Sequence, residues 1–278
     1  MTYKLLVVDV DGTLLRRDGV IDESDREAIE RLRAAGVPST IATGRLYSGT
    51  RSIARQAAMA GPVACVDGSH IVDSRDDRGL FSRCLTGEHA LTVRRVLERN
   101  EAAGFLFAQD SVVYDPRGEP YIGYVQSWSP NVSPVERVTA HPYWEHEAGI
   151  HAVVAVGTED QIRASVDEVQ GALPEQAFVL SFPVSHRSGL FAMIVRAAGS
   201  TKGTAVEWLS VHYGCDPAEV VVVGDWLNDV PMFKRAGRSF VMAQAPKIVK
   251  AAATDELEAH ASRGGGIAEA IRRAWGKV

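Results

Sequence analysis

The stretch Leu5-Leu6-Val7-Val8-Asp9-Val10-Asp11-Gly12-Thr13 runs apolar at every position from 5 to 8 and then breaks into two acidic residues and a glycine. A strand with no polar face has no side to give to water, and such strands belong to parallel sheets covered by helices on both sides. Ligands of open parallel sheets bind beyond the carboxyl ends of the strands, so the acidic pair marks where chemistry is to be sought. Working outward, Asp22 stands ready to cap a helix that carries Ala28, Ile29 and Leu32 at helical spacing, with Gly36 as its stop. Residues 37–42 read as a second strand, 48–59 as a helix and 62–66 as a third strand. Residues 220–224 repeat the continuous apolar pattern and 240–243 repeat it more weakly. Alternating strands and helices imply right-handed crossovers and a parallel sheet.

Between these ends the texture changes. Residues 81–85, 105–109, 112–115, 151–157 and 178–182 read as short strands around helices over 88–103 and 159–173, the pattern of an antiparallel sheet with helices on one face. Residues 116–149, rich in Pro, Trp, Tyr and His, have no clear period and read as loops. Alternation returns with a strand at 191–195 and a helix beginning near Gly203. The organisation expected is an α/β parallel-sheet core from residues 1–81 and 188–278, interrupted by an α+β insert over 82–187.

At 278 residues the chain is long enough for such a two-part arrangement. Its net charge of −5 is spread without long blocks of one sign, which argues against nucleic acid as a partner. Neither a spanning helix nor a secretory signal is evident, so no membrane partner is expected. The isolated Cys65, Cys84 and Cys215 lack metal-ligand spacing and read as reduced, which suits a cytoplasmic setting. Oligomeric state leaves no trace in the sequence.

The strand ends are polar and mutually compatible. The first ends in Asp9-Val10-Asp11-Gly12-Thr13, the second in Thr43-Gly44-Arg45 and the late apolar strand in Gly224-Asp225-Trp226-Leu227-Asn228-Asp229, with Lys202-Gly203 before a helix between them. Carboxylates from Asp9, Asp11, Asp225 and Asp229 converging on one edge would repel unless a cation sat among them, and an all-oxygen donor set suits Mg²⁺. Asp9 and Asp225 are the best direct ligands, with the backbone carbonyl of Asp11; either Asn228 or Asp229 completes or orients the shell. Such a metal would also let a carboxylate approach a phosphate dianion. Thr43 offers a hydroxyl and a strand-end amide to phosphate oxygens, Lys202 a compact positive charge, and Gly12 a sharp turn.

In that order, DVDGT, ATGR, a lysine before a helix and GDWLND resemble the four motifs of the haloacid dehalogenase superfamily. The position and size of the insert resemble the type IIB cap of its Cof-like phosphatase branch. The resemblance implies a Rossmann-like core, an inserted cap that selects the substrate, and a Mg²⁺-dependent phosphatase acting on small phosphorylated metabolites, sugar phosphates foremost. Carried onto matching positions, it makes Asp9 the nucleophile and Asp11 the general acid and base. Thr43, Gly44, Lys202 and Asn228 become phosphate binders, and Asp9, Asp11, Asp225 and Asp229 the metal set. A phosphotransferase such as a phosphomutase, or a ligand-binding regulator, are the rival readings; the dehalogenases are less similar, because the second aspartate of the first motif marks the phosphoryl-transfer members. Two departures stand out: Trp226 occupies a position that is small or polar in the family, where it either narrows the entrance or packs under the cap, and Val241-Met242-Ala243-Gln244-Ala245 lacks the usual Gly-Asn pair.

Other candidates have plainer explanations. His141, Glu145, His146, Glu147 and His151 match no zinc spacing and read as a solvated loop. Gly264-Gly265-Gly266 reads as a helix start rather than a phosphate cradle. Arg45 either reaches the site or braces the second strand. Tyr121, Tyr124, Trp128, Tyr143 and Trp144 either hold a leaving group or pack a core.

Overall fold

The computed structural model describes residues 3–184 and 189–276. By its internal contacts the chain forms two compact units, one of Met1–Gly44, Thr50–Phe81 and Ser200–Val278, the other of Arg45–Gly49 and Ser82–Gly199.

The first unit is built on a five-stranded sheet in the order Asp255–Glu256, Arg238–Val241, Val220–Gly224, Leu5–Val8, Ser39–Ile41. All its pairings are parallel. Leu5, Leu6, Val7 and Val8 have no exposed surface, as the absence of a polar face requires. Val8 lies opposite Val223 on one side and Ile41 on the other, so the chain leaves three adjacent strands at one level, at Asp9, Ala42 and Gly224. From Leu5–Val8 the chain first adds a strand on one side and later returns to the other. Such a reversal opens a crevice at the carboxyl ends.

Asp22 caps the Glu23–Ala34 helix by accepting from the Ser24 amide, and the helix buries Ala28, Ile29 and Leu32. Pro62–Cys65 starts at the predicted place and ends one residue early, but it is not a sixth parallel strand. It pairs antiparallel with His70–Asp73 and touches the main sheet through one parallel bridge, Ala42 to Ala64. A tight turn into a hairpin replaces the expected crossover. The helix expected over 48–59 is shorter, Arg51–Gln56.

The second unit has a six-stranded sheet in the order Ala177–Pro183, Leu190–Ala197, Ala152–Thr158, Ala103–Ala108, Ser111–Tyr114, Val132–Pro134. It is antiparallel except for the last pair. Helices Gly87–Asn100 and Glu159–Ala172 supply Val93, Leu97, Ile162 and Val169 to a core shared with Leu106, Val113, Val153, Ala155, Met193 and Val195. This is the α+β insert, with three corrections. The strand expected at 81–85 is Arg78–Ser82, which joins a three-stranded sheet with Pro62–Cys65 and His70–Asp73, and residues 116–149, read as loops, supply the edge strand Val132–Pro134. The strand around 191–195, assigned to the parallel core by alternation, pairs antiparallel with Ala152–Thr158 and Ala177–Pro183. A strand with a partner on each side and helices above is as apolar as a parallel one, so composition cannot separate the two cases. The boundary expected at 187–188 lies outside the described residues, and the change of unit comes between Gly199 and Ser200.

Candidate active site

Asp9 continues the ladder of its strand by donating its amide to the Val223 carbonyl at 2.9 Å. The chain then turns on itself: Leu14 donates to the Asp9 carbonyl at 3.2 Å and Leu15 to the Val10 carbonyl at 2.9 Å. Gly12 makes this turn possible twice over. Its φ is +79°, and a Cβ there would lie 2.4 Å from Asp225 Oδ2. The turn buries Asp9 and leaves Asp11 exposed, so the two first-motif carboxylates have different surroundings.

Lys202 is the first residue of the Lys202–His212 helix, whose N-cap Thr201 forms a capping box with Thr204. With 1% of its surface exposed, its ammonium donates to Asp9 Oδ1 and to Asp229 Oδ1, each at 2.6 Å. Asp229 Oδ2 in turn accepts the amides of Asp225 at 2.8 Å and Trp226 at 2.9 Å. Asp229 therefore folds the loop around itself and anchors the lysine. Gly224 is required beneath it, since a Cβ would lie 2.5 Å from the Asp229 carboxyl carbon.

Asp9, Asp225 and Asp229 each offer an oxygen within 4.8 Å of the others, the one such metal-competent group among the described residues. Burial raises the Asp9 carboxyl well above the usual range; Lys202 opposes the shift and the Asp229 and Asp225 charges add to it. Burial, then Asp229, pushes Asp225 up to about 6. Burial works against the Lys202 charge, but Asp229, Asp9 and Asp67 outweigh it and raise its affinity for the proton. One ammonium does not satisfy these carboxylates, and a hard divalent cation fits an all-oxygen set that still favours protonation.

Thr43 is fully buried. Of the two groups expected to face phosphate, its amide is engaged: it donates to the Ala64 carbonyl at 2.9 Å, while the Thr43 carbonyl accepts from the Asp67 amide at 2.8 Å. Gly44 lies beside the Asn228 carboxamide, which donates to Asp67 Oδ1 at 2.8 Å. Arg45 falls in the second unit, where its guanidinium donates to the Gly49 carbonyl at 3.3 Å.

Two residues of the site were given no role from sequence. Asp67 ends a predicted strand like the others and could have been found by the same rule. The backbone delivers it under strain, with φ of 48° at Val66 and 50° at Asp67, a region that a β-branched residue almost never enters. Gln244 follows the weak strand 238–241 and donates to the Gly12 carbonyl at 2.6 Å and to Asp225 Oδ2 at 3.1 Å.

The remaining candidates separate cleanly. The Gly265 and Ala268 amides at the start of the Gly266–Trp275 helix donate to Asp25, at 3.0 and 2.8 Å, so the glycine run is a helix start capped from within. The His141 and His146 rings accept from local amides, and His151 lies 3.2 Å from the Cys84 sulfur; these histidines do not form a metal cluster. Trp144, 1% exposed, packs in the second unit's core with its indole donating to the Val138 carbonyl. Trp226 is 55% exposed. Among the described residues no helix is long and apolar enough to cross a membrane.

The chain resembles known proteins over nearly its whole length. Residues 6–271 match the family model of the haloacid dehalogenase-like hydrolases. The chain is 27% identical over 246 residues to an HMP-PP phosphatase of Yersinia pestis (strain Pestoides F), covering 87% of this chain and 85% of that one. It is 25% identical over 262 residues to a pyridoxal phosphate phosphatase of Escherichia coli (strain K12), covering 91% and 92%. A haloacid dehalogenase-like hydrolase from Bacteroides thetaiotaomicron superposes with a TM-score of 0.84 at 22% identity, over 99% of this chain and 100% of that one.

Proposed function

Because the chain belongs to the haloacid dehalogenase-like hydrolase family, as a phosphatase of that family, we propose that it hydrolyses phosphate monoesters of small metabolites through an aspartyl phosphate on Asp9, with Mg²⁺ bound. Sugar phosphates are the substrate class implied by the sequence resemblance. Pyridoxal phosphate, named for the Escherichia coli relative, marks a second class to be tested beside them.

One observation carries the reading: a buried lysine holds Asp9 and Asp229 at 2.6 Å each at the carboxyl end of the central strands, with Asp225 alongside. Asp9 and Asp225, with the Asp11 carbonyl, would hold the cation, and Asp229 would orient them. When bound, the metal supplies charge neutralisation between an anionic nucleophile and an anionic phosphate.

The residues of the chain do the rest. An Asp9 oxygen attacks phosphorus as the bond to the leaving oxygen breaks, and Asp11 gives that oxygen a proton. A water then attacks the same phosphorus, Asp11 takes the proton back, and the acyl phosphate bond breaks to return the Asp9 carboxylate and inorganic phosphate. Buried Asp9 has a fixed position suited to attack, and exposed Asp11 has the solvent access that a proton carrier needs. Lys202 stabilises charge on the transferring group, with the Thr43 hydroxyl, the Gly44 turn and the Asn228 carboxamide as further phosphate contacts.

The test separates the two aspartates. With an aryl phosphate, whose phenolate leaves unprotonated, Asp11→Asn should release a burst of phenol near one equivalent and then stall, whereas with an alkyl phosphate it should show neither burst nor turnover. Asp9→Asn should form no phosphoenzyme with either. A burst from Asp9→Asn, or equal losses for both substrates in Asp11→Asn, overturns the assignment.

A further inference from the structure

Gln244 stands where the sequence departs from its family's usual pattern, and it uses both ends of its amide. Its Nε2 donates to the Gly12 carbonyl at 2.6 Å and to Asp225 Oδ2 at 3.1 Å, and its Oε1 accepts from the Ala261 amide at 3.0 Å. The orientation is unambiguous. The Gly12 carbonyl can only accept and the Ala261 N–H can only donate, so the amino end must face the site and the oxygen must face away. The side chain spans the first-motif turn, the carboxylate of the late strand and the loop at 259–261.

Among the described residues, Gln244 supplies the hydrogen bond that Asp225 accepts at that oxygen. Its own amide is engaged by Asp229, and the absence of a side chain at Gly12 leaves the space into which Oδ2 fits. Groups behind metal-binding carboxylates fix which oxygen is presented, and their loss weakens metal binding about 10- to 100-fold. We propose that Gln244 is a positioning residue for the divalent cation. By holding Oδ2 of Asp225 and the Gly12 carbonyl on one amide, it leaves the other Asp225 oxygen for the metal and locks the Asp11-bearing turn to it. The inference rests on the metal-dependent reading above. It adds a residue outside the motifs that carry the resemblance.

The experiment is calorimetric titration of the full chain with Mg²⁺ alone, parent against Gln244→Met, which keeps the length and loses the donors and the acceptor. The expected result is a Mg²⁺ dissociation constant raised about 10- to 100-fold, a matching rise in the Mg²⁺ concentration for half-maximal activity, and a kcat near the parent value once Mg²⁺ saturates. Should Gln244→Met not fold, Gln244→Asn, one methylene short of both acceptors, is titrated in the same way. A folded variant that binds Mg²⁺ within twofold of the parent overturns the inference even if its melting temperature falls, because that pattern belongs to a merely structural contact. A parent that binds no Mg²⁺ overturns the metal-dependent reading as well, so the two failures are distinguishable.

Discussion

Replacing Lys202 by methionine should expose how the buried charges balance. The ammonium lies 2.6 Å from Asp9 Oδ1 and 2.6 Å from Asp229 Oδ1. At an effective dielectric constant of about 20 each contact amounts to about 6 kcal/mol of attraction. Most of that only offsets the cost of taking three ions out of water, so the net loss on removing one partner of a buried pair is about 3–5 kcal/mol. The carboxylates also have an escape: one of them can take up a proton. At pH 7 protonating an ordinary aspartate costs about 4 kcal/mol, which caps the penalty near the same figure. The cap gives the prediction its signature. In the variant the folded state holds one proton more than the folded parent, whose Asp9 and Asp225 carboxyls already sit high, while the two unfolded chains, with ordinary carboxylates, do not differ. Its stability relative to the parent therefore improves as pH falls, by about 1.4 kcal/mol per pH unit between 7.5 and 5.5. The assay is urea unfolding at both pH values in chelator, repeated with Mg²⁺, which should recover part of the loss. A penalty below about 1 kcal/mol at pH 7.5, or one that does not shrink at pH 5.5, would refute the reasoning.

Metal removal should be equally direct: turnover stops in excess chelator and returns with Mg²⁺, while Ca²⁺, with its larger and looser shell, inhibits; steady turnover in chelator would contradict it. Gly12→Ala forces a Cβ to 2.4 Å from Asp225 Oδ2 at a φ of +79°, so kcat/KM should fall about 100-fold while the protein stays folded; unchanged kinetics would show that the turn has slack. Asp25 has no exposed surface, and burial raises its carboxyl to about 6 against the pull of the Ala268 and Gly265 amides. The folded state then holds a proton that the unfolded chain releases above about pH 4, so stability falls between about pH 4 and 6. Asp25→Asn should flatten that slope in thermal melts, and a parent whose stability rises across this window would contradict the assignment.

The sequence was most legible where one local rule decides the outcome. Continuous apolar runs at 5–8 and 220–224 announced strands buried on both faces, and the polar residues after them are those the fold gathers: because Val8 faces Val223, Asp9 and Asp225 leave neighbouring strands within one residue of the same level. The same rule failed at 191–195. Met193 and Val195 are as buried in the second unit as they would be in a parallel core, and periodicity reports how many faces are covered, not by which partner. Asp67 shows a different limit. It stood at a strand end, but its contact with Asn228 depends on two successive left-handed residues, Val66 and Asp67, which no propensity would suggest.

Lys202 marks the boundary between the two kinds of knowledge. By itself, at the start of a helix, it reads as a surface lysine facing an unfavourable dipole. What makes it a buried cation is a pair of carboxylates 193 and 27 positions away in the chain. Its role became readable only through motif order, because order along the chain fixes which strand ends become neighbours. Gln244 had no such order to lean on. Its partners, Gly12, Asp225 and Ala261, come from three separate segments, and its amide is a common surface group. A long-range polar support of this kind leaves no periodic trace, so the residues behind the first ring of a site must be found from geometry even where the ring itself can be read from the chain.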